Sequence, residues 1–233
     1  MTGMVLTAVP MSGANAGIAV SINGLVIPPL SANANASCIT VIFPSKLLSL
    51  GLSDRCFYNS VYKGVTDAEL ANLKDSGIKM SIVLADNPKD NSLEGKMTVI
   101  QEALALADKG GITKPLIDTA IPAFAPDMGT AVRTIPIMKE KYGHPVGLGS
   151  GNVVTTMGWV KANIAKEFRK GCVTATNAIM QTVGANWLMI GPAEQAEWVF
   201  PAVAVVDTYI ASAAADLGTR PLEETHPIYR AFM

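Results

Sequence analysis

The stretch IKMSIVLADNPKDNSLEGKMTVIQEALALADKGGITKPLIDT, residues 78–119, decides the fold. It opens on an apolar run, Ile78–Ala85, that reads as a buried strand. A polar loop with Asn87-Pro88 follows, then a helical pattern over Glu94–Lys109 closed by Gly110-Gly111. A second apolar strand, Pro115–Asp118, ends in a carboxylate. Strand, helix and strand in this order form a βαβ unit, which needs roughly 30 residues or more. Strands with so few polar positions are buried on both faces, so the sheet is parallel and helices cover it on both sides.

The same alternation runs outward in both directions. Upstream, Arg55–Val61 (RCFYNSV) reads as a strand, and Thr66 with Glu69 forms a capping box for a helix reaching Ser76, which Gly77 ends. Downstream come a helix over Asp127–Tyr142 with Pro136 inside it, a strand Pro145–Gly149, and helices Val153–Phe168 and Val173–Gly184. A strand Asn186–Gly191 and a long helix Glu194–Leu217, stopped by Gly218, complete the series. Five strands are clear. Taken alone, that count favours a doubly wound open sheet over a (β/α)₈ barrel, which needs eight strands and about 250 residues.

No charged residue or histidine precedes Lys46, and Ala, Asn, Ser and Gly dominate the leader. Ile18–Ile22 and Leu25–Ile27 are its two candidate strands; otherwise it reads as weakly structured. It lacks the basic start of a signal peptide, and its apolar runs stop well short of about 18 residues, so no membrane span is expected. The texture changes at Lys46, which divides the chain into residues 1–45 and a (β/α) domain over 46–233.

Composition narrows the function classes. In 233 residues, Lys+Arg total 18 and Asp+Glu 19, a net charge of −1 that argues against a nucleic-acid binder working by bulk charge. Charged residues make up only 16% and hydrophobic ones 49%, so the chain has a large aliphatic core. Cys38, Cys56 and Cys172 are odd in number and form no CxxC, which fits reduced thiols in a cytoplasmic protein. With only His144 and His226, a three-histidine zinc site is impossible, and no bound metal is expected.

The informative pattern lies where strands end: Asn59-Ser60, Asp86-Asn87, Asp118-Thr119, Gly149-Ser-Gly151-Asn152, and Gly191-Pro192 with Glu194 just beyond. In parallel α/β folds these ends share one face, and ligands bind there. Amides and carboxylates without His, Cys or Lys suit a polar heterocycle better than hydrolysis. A carboxylate accepts two parallel N–H bonds from a guanidine-like ring edge, and Asn both donates and accepts. Asn87 before Pro88 also suits a turn, and Asn152 also suits a helix cap. The run Gly147-Leu-Gly149-Ser-Gly151-Asn152 does not complete the dinucleotide fingerprint.

Several segments together resemble the H-subunit family of tetrahydromethanopterin S-methyltransferase: Asp54–Ser60 (DRCFYNS), Leu84–Asp90 (LADNPKD), Lys114–Thr119 (KPLIDT), Lys141–Gly147 (KYGHPVG), Asn186–Pro192 (NWLMIGP), Ala196–Asp207 (AEWVFPAVAVVD) and His226–Tyr229 (HPIY). The likeness runs from about Leu47 to the C-terminus. It implies an α/β, TIM-barrel-type pterin-binding fold, incomplete or open where the leader stands for the first βα units. It further implies methyl transfer between N5 of a tetrahydropterin and the cobalt of a corrinoid carried by another protein. By the same analogy Asp118 grips the pyrimidinone edge with Asn59, and Asn152 sits near N5, which makes Asn152 and Asp118 the expected catalytic residues; the strand-end pattern adds Asn87, Gly149 and Glu194 as expected substrate contacts. Asn33 falls about where the family carries another acid, and Asp86 stands where an apolar residue is usual. The implied partners are the corrinoid protein, membrane-complex subunits to which a cytoplasmic chain would be peripheral, and a second copy in a homodimer. Two other readings are a non-catalytic assembly subunit and a nucleotide-binding oxidoreductase module.

Overall fold

A computed structural model describes residues 7–10, 18–21, 37–41, 53–121, 128–151, 154, 157–190, 195–222, 224 and 226–230. Eight strands hydrogen-bond in sequence order into a closed barrel: β1 Thr7–Pro10, β2 Ile18–Ser21, β3 Ser37–Val41, β4 Cys56–Val61, β5 Met80–Leu84, β6 Lys114–Asp118, β7 Val146–Leu148 and β8 Trp187–Ile190. From β2 to β8 each strand lies parallel to the next, whereas β1 runs antiparallel to both β2 and β8 and closes the ring. The fold is therefore TIM-barrel type, with an irregular first quarter. Strand counting alone points to an open sheet because three strands lie in the uncharged leader. Ile18–Ser21 matches one expected strand there; Leu25–Ile27 and Asn33 lie outside the described residues. Thr7–Pro10 and Ser37–Val41 lie in sequence with no charged residue before Lys46 to frame them, so the pattern rules pass over them.

Local chemistry explains the helices. Helix α1, Asp67–Asp75, starts at the expected capping box: Thr66 Oγ1 accepts from Glu69 N at 3.2 Å, and Glu69 Oε2 accepts from Thr66 N at 2.9 Å. Such a cap contributes about 1 kcal/mol. Helix α2, Leu93–Lys109, is capped by Ser92, whose Oγ accepts from Gly95 N at 3.1 Å. Helix α3, Met128–Tyr142, carries Pro136 without ending there; proline cannot donate back to the preceding turn. The expected helix Val153–Phe168 is interrupted: Val154 is helical, but Met157 is extended. The described helix α4 covers Gly158–Asn163, Ile164 and Ala165 are extended, and a 3-10 turn follows at Lys166–Phe168. Arg169 accounts for the break, donating to Ile164 O at 2.9 Å and Lys161 O at 3.0 Å and so satisfying carbonyls at the helix end. Helices α5, Arg169–Thr182, and α6, Ala196–Asp216, pack side by side, with Gln181 Nε2 donating to Val203 O at 3.1 Å. By length and composition alone α6 is long and apolar enough to cross a membrane; Val199, Val203 and Ala211 are its buried positions.

Side chains alternate across each strand. Tyr58, Val83, Ile117, Leu148 and Leu188 belong to the outer core with Ile100 of α2, Met138 of α3 and Val203 of α6. Phe57, Ile82, Trp187 and Met189 form the inner cluster that fills the barrel. Gly147 belongs to this inner set by parity. A Cβ there would collide with the carbonyl and indole of Trp187, so only glycine lets β7 and β8 approach.

Candidate functional site

The inward rows continue past the inner cluster to the C-terminal ends of the strands. On β6, Ile117 faces the outer core and the next residue, Asp118, faces inward. Asp118 is 7% exposed. Its Oδ1 accepts the Ala120 N–H at 2.8 Å, and the Gly149 N–H, just past β7, also bonds the carboxylate. Lys96, in the first turns of α2, is 2% exposed; its Nζ donates to Thr119 O at 2.8 Å and Ala120 O at 2.5 Å, and its charge bears on Asp118.

These forces oppose one another. Burial raises the Asp118 pKa most, while the two backbone N–H groups and Lys96 lower it and the charge of Asp86 raises it further. The balance leaves the carboxyl at about 6 instead of 3.8. A buried, part-neutralised carboxylate at the mouth of a barrel is poised for a ligand that can complete its hydrogen bonding.

Asn59 on β4 also faces inward, between Phe57 in the inner cluster and the C-terminal rim. The β4–β5 register shifts between Tyr58 and Val61, where β4 carries one extra residue. Such a bulge re-aims a side chain. The Asn59 amide is half-buried, and its Nδ2 meets Met189 Sδ of β8 at 4.0 Å, a weak contact that leaves hydrogen-bonding capacity for a ligand. Gly149 is half-buried, and among the described residues a Cβ there would meet nothing within 4 Å.

The structure thus brings Asp118 and Gly149 into direct contact and places Asn59 on the same inward-facing end. Asn87 is used differently. Its Nδ2 donates to Gly95 O at 3.1 Å, and its Oδ1 accepts from Lys89 N at 3.2 Å and Asp90 N at 3.3 Å, so it holds the loop before α2. Asn152 and Glu194 lie outside the described residues. Among the described residues no group of three His, Cys, Asp or Glu side chains could hold a metal ion.

Sequence reasoning missed Lys96 and the pair Ser150–Asn177. Ser150 Oγ donates to Asn177 Oδ1 at 2.7 Å, tying the segment after β7 to α5. Both polar residues had a visible signal. Lys96 shares the stripe of Val99, Ile100, Ala103 and Ala107 on α2, and Asn177 shares that of Val173, Met180 and Gln181 on α5. A polar side chain on the buried face of a helix needs an internal partner.

The model for the tetrahydromethanopterin S-methyltransferase MtrH subunit family matches residues 28–222. The H subunit of this enzyme from Methanothermobacter thermautotrophicus is 38% identical over 191 residues, covering 78% of this chain and 61% of that protein. The H subunit from Methanopyrus kandleri is 32% identical over 219 residues, covering 85% of this chain and 68% of that protein. The chain thus spans about 61% of the length of the first of these relatives. Among solved structures, a dihydropteroate synthase from Xanthomonas albilineans superposes with a TM-score of 0.53 at 18% identity, over 75% of this chain and 65% of that one. That likeness supports the barrel fold.

Proposed function

The chain belongs to the tetrahydromethanopterin S-methyltransferase MtrH subunit family, and from that premise we propose that it is a methyltransferase subunit that binds a tetrahydropterin at the C-terminal rim of its barrel. The observation that carries the reading is the buried Asp118 carboxylate, held by two backbone N–H groups and Lys96 and facing inward. A pterin offers an amide N–H and an amino N–H side by side, the pattern a carboxylate accepts in parallel. Binding them stabilises the ionised form, which burial alone disfavours. Asn59 hydrogen-bonds the ring from the β4 side, and Gly149 leaves room for it.

The methyl group passes between N5 of the pterin and the cobalt of a corrinoid carried by a partner protein. The reduced cobalt supplies the nucleophile, so the chain's own residues need only bind, orient and manage one proton. An N5 amine leaves well only when protonated, and the Asn152 amide oxygen accepts from that N–H without being a strong base. The corrinoid protein and the other subunits are the partners, with this chain cytoplasmic or peripheral to a membrane complex. A homodimer belongs to the same proposal: Val205 and Tyr209 of α6 and Ile179 of α5 are large apolar side chains exposed among the described residues.

The test is methyl transfer from an N5-methyl-tetrahydropterin to free reduced cobalamin, followed by the cobalamin absorbance change. Turnover that Asn152→Ala slows at least tenfold supports the proposal. Pterin binding without turnover favours the assembly-subunit reading instead.

A further inference from the structure

Lys96 stands where a helix buries its apolar stripe. Val99, Ile100, Ala103 and Ala107 continue the same face of α2, and a methionine or leucine would fill the position without removing an ammonium from water. The ammonium is not idle. It donates to Thr119 O at 2.8 Å and to Ala120 O at 2.5 Å, the two carbonyls that follow Asp118. Between them the backbone turns left-handed: Ala120 has φ 52°, a conformation that a residue with a Cβ adopts only when its surroundings hold it there. That turn aims the Ala120 N–H at Asp118 Oδ1, 2.8 Å away. From α3, Tyr142 Oη donates to Met97 O at 3.3 Å and fixes the helical turn that carries Lys96. Among the described residues, the charged groups that bear on Asp118 are Lys96 from α2 and Asp86 from the loop after β5, of opposite sign.

We propose that Lys96 is the positioning residue for the pterin-gripping carboxylate: by clamping the Thr119 and Ala120 carbonyls it holds the left-handed turn that orients Asp118, and its charge keeps that carboxylate ready to accept the ring N–H pair. This rests on the tetrahydropterin reading for its function, but its structural part is measurable without any ligand. Lys96 acts through Asp118 and touches no substrate itself.

The 233-residue chain with ¹³Cγ-labelled aspartate gives the direct readout. In the wild type, Asp118 titrates near pH 6, and the Lys96 ¹⁵Nζ resonance inflects at the same midpoint. In Lys96→Met the Asp118 midpoint rises by about one unit or more, and the Ala120 amide exchanges faster. Adding Ala120→Gly, which relieves the left-handed turn, restores the amide protection but not the midpoint. Tetrahydropterin affinity in Lys96→Met falls about threefold at pH 6.5 for a one-unit rise, as the ionised fraction of Asp118 drops, and recovers most of that loss at pH 8.5. A folded Lys96→Met protein with an unchanged Asp118 midpoint overturns the proposal. So does a wild-type Lys96 resonance with no inflection near Asp118's midpoint, a measurement that needs no variant to fold. Absence of tetrahydropterin binding in the wild type defeats the functional reading instead, and the ligand-free titrations still decide the role of Lys96.

Discussion

Replacing Asp118 with Asn should make the ligand-free protein more stable while removing its ligand affinity. The unfolded chain ionises Asp118 near 3.8, the folded chain at about 6. Below pH 3.8 both states hold the proton and the group contributes nothing to the difference. Between 3.8 and 6 the folded state holds more proton than the unfolded one, so stability falls as pH rises through that window. Above 6 the full penalty is in place. A shift of this size corresponds to about 3 kcal/mol at roughly 1.4 kcal/mol per unit. Asn keeps the size and one acceptor oxygen for Ala120 N–H but has no charge to desolvate. It also removes the negative charge on which Lys96 bears, which offsets part of the gain. The net expectation is a stabilisation of about 1–2 kcal/mol at pH 7.5, vanishing near pH 3.5. Urea unfolding of both proteins at the two pH values measures it. Destabilisation at pH 7.5, or a difference that does not change with pH, would refute the claim that Asp118 is a strained, desolvated carboxylate.

Other substitutions separate fold from site. Asn59→Ala should weaken tetrahydropterin binding about five- to tenfold and cost under about 0.5 kcal/mol of stability, because its described contact is a thioether at 4.0 Å; titration calorimetry and thermal melts check both. Asn87→Ala should do the reverse, costing about 1–2 kcal/mol through the lost loop bonds with a smaller effect on affinity. Gly147→Ala should destabilise by about 1–3 kcal/mol or prevent folding, since the added methyl meets the Trp187 carbonyl and indole; a shift in the urea midpoint reads it.

Much of the barrel was legible in the chain. The five strands from Cys56 to Ile190 and the capping box at Thr66 follow from apolar runs, caps and glycine stops. Thr7–Pro10 and Ser37–Val41 were not legible: four or five residues among uncharged neighbours carry no periodicity that marks a strand, and their identity is set by pairing with Trp187–Ile190 and Cys56–Tyr58. Asp118 stood out because a carboxylate at the end of a buried strand needs partners. Those partners did not stand out. The Gly149 N–H comes from another strand end, Lys96 lies on a helix well before Asp118 in the chain, and the left-handed turn at Ala120 has no glycine to announce it. Asn87 resembled a ligand residue by its place after β5, but the Asx turn into α2 took its side chain.

The direct measurement is calorimetric titration of the whole chain with tetrahydromethanopterin and its N5-methyl form at pH 7.5, for the wild type and for Asp118→Ala. Saturable one-to-one binding in the wild type, weakened about 100-fold or more by removing the carboxylate, is the expected result. No saturable binding of either pterin, or an affinity untouched in Asp118→Ala, would contradict it.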